Sequence, residues 1–472
     1  MSIAGRTREV KRFNKILKSK SSEFVAVYGR RRVGKTFLIR EACKNIFHFQ
    51  LTGLANATVP HQLVNFHTAL HKKYKGRPFP VPKTWYEAFQ QLINYLEKIK
   101  VEKKVVFIDE LPWLDTPKSN SISALEHFWN SWASARKDIV LIVCGSAASW
   151  MLNKLINNKG GLHNRITHKL KLLPFTLKEC EEFLQTKNFN WNHYQIVETY
   201  MALGGIPYYW DALEPGMSAT QNIDRLFFSE GALLSDEFDN LYQSLFRNSE
   251  NYMAVVAALA KKQMGLTRDE IISLAKLPNG GGVSKVIEEL EASGFIRKYT
   301  SFNKKLRHNI YQLTDLFSLF YLRFLKGNKS IKENYWINLA DSPAQRTWSG
   351  YAFEMVCLLH TFQIKKELGI NGIQSDESAW RSSSSKNGAQ IDLIIDRRDQ
   401  VINLCEMKFS INQFTIDKKY SENLRNKMDA FRRETKTRKA LLITMITTYG
   451  LQENEHALSL VQNDLDMECL FT

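Results

Sequence analysis

Gly29, Gly34, Lys35 and Thr36 stand in G-x-x-x-x-G-K-T spacing. Those residue types in that order suit one task, gripping an anionic phosphate chain. The backbone N–H groups of Gly29, Arg30, Arg31, Arg32, Val33 and Gly34 and the start of the next helix converge on one point. Lys35 adds a point charge for the outer phosphates, and Thr36 offers a hydroxyl to Mg²⁺. Phe37 then opens an apolar helix with Leu38 and Ile39, and the run Phe24 to Tyr28 before the loop reads as a buried parallel strand. The glycines let the backbone turn tightly and approach a ligand. Strand, loop and helix together are the context that a P-loop requires.

A second chemical pair follows. Val105-Val106-Phe107-Ile108 leads into Asp109-Glu110, four apolar residues and two acids. A buried strand would deliver Asp109 at its C-terminal end, where open α/β sheets place their sites. There Asp109 would hold Mg²⁺ through water and Glu110 would polarise an attacking water. A solvated acidic turn is the competing reading, and the upstream P-loop disfavours it. Ile139 to Cys144 is another apolar strand, ending in Gly145-Ser146. Ser146 is placed either to contact the γ-phosphate or the water, or to cap a helix. Arg165, in a glycine-bearing loop, is either a surface arginine or a neutraliser of transition-state charge, in cis or from a neighbouring subunit. The second option leaves a homo-oligomer open.

A third constellation lies near the C-terminus. Glu354 sits in the stretch Gly350 to Leu359, which reads as an apolar helix; Asp392 lies in one apolar strand and Glu406 and Lys408 in the next. Glu406 and Lys408 share a strand face because the period is two. Asp392 and Glu406 can hold Mg²⁺, Lys408 can orient or activate water beside a scissile phosphate, and Glu354 can complete the site. The stretch Asp417 to Lys439 reads as a basic helix with nine Lys/Arg against four acids. Its Arg425, Lys427, Arg432 and Arg433 either follow a phosphate backbone or form a solvated face.

The whole chain has 472 residues and a formal net charge of +17. That length suits about three domains, and the charge permits polyanion binding without requiring it. The six cysteines have no C-x-x-C spacing, so no zinc or redox motif is expected. No apolar run reaches the ~18–20 residues of a membrane span, and the N-terminus lacks a secretory h-region; a cytoplasmic protein without a membrane partner is expected. His67 and His71 are four apart, but the acidic partner of an H-E-x-x-H helix is missing, so a solvated helix face is expected. Arg77 to Pro82 reads as an extended linker.

Helical patterns cover Tyr252 to Lys262, a capping box begins at Thr267, and Gly280-Gly281-Gly282 breaks the chain before a third helix, Val283 to Ser293. Two alternating strands, Phe295 to Thr300 and Leu306 to Leu313, follow. This is the order of a winged helix. Its third helix carries Glu288, Glu289 and Glu291 beside Lys285, a poor match to a phosphate-lined groove. The hairpin is basic, with Arg297, Lys298, Lys304, Lys305 and Arg307. Phe317, Phe320, Tyr321 and Phe324 form a stripe at helical spacing and are expected in a core.

Taken together, Gly5-Arg6, Gly29 to Thr36, Asp109-Glu110, Ser146, Arg165 and Gly204-Gly205-Ile206-Pro207-Tyr208 resemble the archaeal-type ATPase family, near the STAND branch of AAA+-related P-loop NTPases. The resemblance implies ATP and Mg²⁺ as cofactors and Gly5-Arg6 near the adenine. It also implies a helical lid after the core, often followed by a winged helix and a nuclease-like domain. The D…E-x-K pattern with Glu354 resembles the PD-(D/E)XK nuclease fold. The expected fold is α/β and multidomain: a P-loop NTPase core with a parallel sheet over 1–175, a lid over 176–248, a winged helix over 249–328 and a restriction-endonuclease-like α/β domain over 329–472. The expected function is an ATP-hydrolysing enzyme that gates cleavage of DNA, or less readily RNA. The alternative is a STAND-like nucleotide switch whose C-terminal domain is an inactive docking module.

Overall fold

Short apolar runs with no polar alternation suit strands buried on both faces, and three of them centre the first sheet. The strands are β1 (Glu23–Tyr28), β2 (Phe49–Thr52), β3 (Lys104–Asp109), β4 (Ile139–Gly145) and β5 (His168–Lys171). Their order is β2-β3-β4-β1-β5, all pairs parallel. β1, β3 and β4 are buried along their whole length. The computed structural model describes residues 3–74, 76, 78–157, 160–162, 164–302, 309–328, 333–382 and 389–472. The chain divides into two units, Met1–Pro174 and Phe175–Thr472.

In the first unit the helices are α1 (Thr7–Leu17), α2 (Lys35–Ala42), α3 (Val59–His71), α4 (Trp85–Glu97), α5 (Ser121–Phe128) and the single turn α6 (Ala148–Trp150). An aromatic core fixes α3 and α4 beside the sheet. Phe66 meets Phe49 at 5.0 Å and the edges of Trp85 and Phe89 at 6.0 and 6.1 Å. His67 and His71 do not form a solvated face as expected. Both are part-buried, and each Nε2 lies within hydrogen-bond reach of the Phe79 carbonyl, at 2.9 and 3.3 Å. They staple the proline-rich stretch to α3, a structural role that spacing alone does not reveal. Arg77 lies outside the described residues.

The second unit begins with α7 (Leu177–Thr186), α8 (His193–Leu203), α9 (Pro207–Asp211), α10 (Ala219–Phe227) and α11 (Glu237–Leu245). Then come α12 (Ser249–Ala260), α13 (Arg268–Ala275), α14 (Gly281–Ala292) and an antiparallel hairpin, β6 (Ile296–Thr300) with β7 (Asn309–Leu313). The capping box at Thr267 and Glu270 forms as expected. Gly281 and Gly282 lie inside α14 rather than before it. Arg297 is not a wing cation. Its Nε donates to Gln312 Oε1 at 2.7 Å, and burial pulls its pKa below the usual arginine value. Lys304, Lys305 and Arg307 lie outside the described residues.

The helices α15 (Leu316–Phe324), α16 (Tyr335–Asn338), α17 (Pro343–Leu359) and α18 (Thr361–Glu367) follow. The aromatic stripe is core, as expected. Phe320 contacts Phe227, Trp336 and Trp348 at 4.6, 5.0 and 5.2 Å, tying α10, α15, α16 and α17 together. α17 starts at Pro343 behind a Ser342 cap, so Gly350 is mid-helix and does not open it. The closing sheet has β8 (Ser375–Arg381), β9 (Gln390–Arg397), β10 (Val401–Lys408), then α19 (Lys418–Thr435), β11 (Ala440–Thr447), α20 (Glu455–Leu460) and β12 (Asn463–Leu465). Its order is β12-β11-β10-β9-β8, with β8, β9 and β10 antiparallel and β10, β11 and β12 parallel.

The Gly204 to Tyr208 signature folds as a knot at the start of this unit. Phe175 N–H donates to the Gly205 carbonyl at 2.6 Å, Tyr200 hydroxyl to the Phe175 carbonyl at 2.7 Å, and Trp210 Nε1–H to the Gly204 carbonyl at 2.7 Å. A Cβ on Gly205 would stand 2.0 Å from the Phe175 carbonyl oxygen. Gly205→Ala should therefore cost about 3 kcal/mol, the upper end of ordinary overpacking; an unchanged denaturant midpoint would show that the knot relaxes freely.

His360 closes the same region. Its Nδ1–H donates to Val356 O at 2.8 Å, and its Nε2 accepts the Leu177 N–H at 3.0 Å. Both nitrogens are committed to the neutral ring, and burial pulls its pKa from 6.5 down to about 4. The unfolded chain therefore binds a proton first as pH falls. Stability from this residue is complete above pH 6.5 and lost towards pH 4, at up to ~1.4 kcal/mol per pH unit. His360→Gln should flatten that part of the stability–pH profile; parallel profiles would remove the residue from the account.

Candidate functional site

The order of the first sheet places three loops at one edge. β4 lies between β1 and β3, with Tyr28 level with Gly145 and Ile108 with Val143. The P-loop, Asp109-Glu110 and Ser146 thus leave the C-terminal ends of adjacent parallel strands, the usual ligand edge of such sheets. Gly34 caps α2 with φ +86° and open space where a Cβ would be. A side chain there would cost about 1 kcal/mol in backbone strain.

Lys35 is 5% exposed, and its Nζ donates to the carbonyls of Gly29 (3.1 Å) and Arg30 (2.9 Å) and to Ser146 Oγ (2.9 Å). All three ammonium protons are committed. Burial pulls its pKa down, opposed by the charges of Glu110 and Asp109. Ser146 passes the interaction on, its Oγ donating to Glu110 Oε1 at 2.6 Å and its backbone N–H to Oε2 at 3.1 Å. Helix capping, the other sequence reading of Ser146, is not its bond here. Glu110 itself holds φ +47°, a conformation non-glycine residues adopt at a cost and most often at functional sites.

Asp109, buried at the end of β3, accepts the Thr36 hydroxyl on Oδ2 at 2.9 Å and the Glu110 N–H on Oδ1 at 3.0 Å. Cys144 also donates its S–H to Oδ1. Burial, then the Asp109 charge, raises this thiol's pKa, so it stays a donor. By sequence, Cys144 is only the last residue of an apolar strand. The signal was its place one residue before Gly145 on the strand beside Asp109. Thr36 and Asp109 offer hard oxygen donors in contact with each other, which suits Mg²⁺. At the other end of the loop, Arg6 Nη2 donates to the carbonyls of Val33 (3.2 Å) and Leu173 (2.7 Å), next to Gly5. Arg30 and Val33 are buried and Phe37 is exposed; Arg31 and Arg32 are partly exposed. Arg165 is exposed on the loop before β5 and bonds to none of these residues.

Residues 3–213 match the profile of an ATPase domain predominantly from Archaea. That stretch is an archaeal-type ATPase domain. It is similar to an uncharacterized protein of Methanocaldococcus jannaschii, 25% identical over 364 residues, 76% of this chain and 77% of that one. A Walker-type ATPase of Pyrococcus abyssi shares the fold, with a TM-score of 0.50 at 17% identity over 68% of this chain and 96% of its own. The ORC2 protein of Aeropyrum pernix aligns at 14% identity over 67% of this chain and 93% of its own, with a TM-score of 0.40.

A second cluster lies in the other unit of this ATPase. α17 packs on β10, and Asp392 on β9 is in line with Glu406 on β10, one step beyond the Leu393–Cys405 pair. Directly opposed residues of an antiparallel pair share a face, and Lys408 shares it with Glu406. Burial, then the charge of Asp392, pushes the Glu354 pKa up to about 8, opposed by Lys408 and further raised by Glu406. The four expected residues therefore sense one another. Glu406 accepts Lys427 Nζ at 2.6 Å and Tyr420 hydroxyl at 3.3 Å, and Lys408 Nζ lies 5.5 Å from the Tyr420 ring centroid. Gln390 donates to Asp392. Lys427 thus turns inward instead of tracking a ligand on the helix surface. Among the described residues no three His, Cys, Asp or Glu side chains are close enough to hold a metal.

The Lys35–Ser146–Glu110 chain makes Ser146→Ala informative. Hydrolysis should fall about 100-fold, the cost of one preorganised polar contact in a transition state, while nucleotide affinity changes less than about tenfold. A rate within twofold of the parent, ~0.4 kcal/mol, would make the contact structural only.

Proposed function

We propose that the first unit binds and hydrolyses ATP with Mg²⁺ and that its nucleotide state gates a nucleic-acid-cleaving site in the second. The Lys35–Ser146–Glu110 hydrogen-bond chain carries the first half. It links the phosphate-binding ammonium to a carboxylate aimed, by two bonds from Ser146, for use on water. Lys35 exchanges loop carbonyls for phosphate oxygens. Glu110 orients the attacking water and takes its proton on a carboxylate oxygen. Thr36 and Asp109 would hold Mg²⁺, which supplies charge neutralisation on the phosphates. Gly5 and Arg6 flank the loop, Arg30 to Val33 and Phe37 line it, and Arg165 would neutralise transition-state charge in cis or from a second copy. Glu110→Gln should retain ATP and lose turnover; undiminished turnover would remove Glu110 from this role.

For the second half, the supporting observation is four chemical side chains on one face of a helix–three strands–helix–strand arrangement, the order of PD-(D/E)XK nucleases. Asp392 and Glu406 offer the oxygens for Mg²⁺, Lys408 orients water, and Glu354, largely protonated at neutral pH, can hand on a proton. DNA is the substrate that the net charge of +17 best suits. Asp392→Ala and Lys408→Ala should each reduce metal-dependent cleavage at least ~100-fold; cleavage that survives both places the site elsewhere. One observation favours a second reading, a STAND-like switch with a docking domain. Glu406 is already neutralised by Lys427, and a metal must displace that pair. Intact ATP turnover, nucleotide-dependent oligomerisation and no cleavage of any nucleic acid would select it.

A further inference from the structure

A cavity of about 1230 Å³ opens in the second unit, walled by α12, β6, α15, α17 and β8. It exceeds the ~300–1,000 Å³ of ordinary small-molecule sites, which suits an extended ligand. Its lining carries the cations Lys261, Lys262, Arg323, Lys326 and Arg381 against one acid, Glu270. All five cations are exposed. Glu270 is already engaged by Lys262 at 3.2 Å and by the Thr267 N–H at 2.8 Å. Among the described residues, Lys261, Arg323 and Arg381 have no acidic partner. The wall thus keeps a positive excess after the Lys262–Glu270 pair is set aside.

Its deeper surface is aromatic. Tyr299, Trp348, Tyr351 and Trp380 line it, and three of them are buried. Phosphate-ready cations over an aromatic floor are the two parts of a single-strand site: charge follows the backbone and rings receive bases. A duplex keeps its bases stacked inside and would use only the rim. The cavity also has a direction. Gln390 lines it and donates to Asp392, and Tyr351 lines it one helical turn before Glu354. One end of the cavity therefore meets the carboxylate cluster.

We propose that a segment of single-stranded nucleic acid occupies this cavity, phosphates on the cationic rim and bases on the aromatic floor, with Gln390 marking where the strand reaches Asp392. The inference rests on the nucleic-acid reading of the C-terminal cluster and names its substrate form.

The test is anisotropy of a labelled oligo-thymidylate on the full chain in EDTA, so that binding is separated from cleavage. Lys261→Glu with Arg381→Glu should weaken binding more than about tenfold and flatten the salt dependence by about 0.7 per lost phosphate contact. ATP hydrolysis should be unchanged, and a parent-like circular dichroism spectrum and denaturant midpoint show that the second unit still folds; Arg323→Glu is the independent second variant. Unchanged affinity in both variants, tighter binding of blunt duplex, or equal competition by polyglutamate overturns the proposal. Lys408→Ala separates the two ideas. Strand binding at the cavity with no cleavage by any form leaves the site standing and removes the nuclease reading. Cleavage lost in Lys408→Ala but binding untouched by the rim variants does the reverse.

Discussion

A buried ammonium sets the terms for the first unit. Stripping an ion of water costs several kcal/mol unless every proton finds an acceptor, and Lys35 is almost fully enclosed. Two loop carbonyls supply two acceptors, but the third must come from outside the loop. β4, inserted between the P-loop strand and the Asp109 strand, brings it with Ser146. That strand order therefore has an electrostatic consequence as well as a packing one. It also sets Cys144 against Asp109 and Ser146 against Glu110, so the two acids are held by the same strand that completes the lysine.

The C-terminal cluster solves a similar problem differently. Glu354 is buried and feels the charges of Asp392 and Glu406, and both effects oppose its ionisation. Lys427 and Lys408 offset part of the charge, and Glu354 takes up a proton instead. The arrangement is stable without any ligand, at the cost of having Glu406 engaged. A divalent cation would have to compete with an ion pair and would be favoured by releasing Glu354 to ionise. This balance makes the same geometry compatible with either chemistry or docking.

The legible parts of the sequence were those whose spacing equals their function. The glycine loop, the apolar run into Asp109-Glu110 and the two strands carrying Asp392, Glu406 and Lys408 all fell where the pattern put them, because strand periodicity fixes which residues share a face. Elements that depend on distant partners were not legible. His67 and His71 read as solvated because nothing local predicts the Phe79 carbonyl. Arg297 read as a wing cation, although Gln312 holds it inward. α17 began earlier than its apolar stretch because Ser342 and Pro343, a cap and a first-turn proline, start a polar turn that hydrophobic periodicity does not register. Lys427 looked like one more charge on a basic helix until β10 supplied Glu406.

On either side of Pro174 the backbone is held within its own unit. Pro174 alone separates Leu173 from Phe175. The Leu173 carbonyl is fixed by Arg6, which also grips the P-loop at Val33. The Phe175 backbone is fixed at both polar atoms, by Gly205 and by Tyr200. Proline removes a backbone donor and locks φ at that one position. The Gly204–Tyr208 signature has its physical reason inside the second unit: Gly205 leaves room for the Phe175 carbonyl, and its own carbonyl holds the Phe175 N–H, so the first residue of that unit is fixed at both backbone polar atoms.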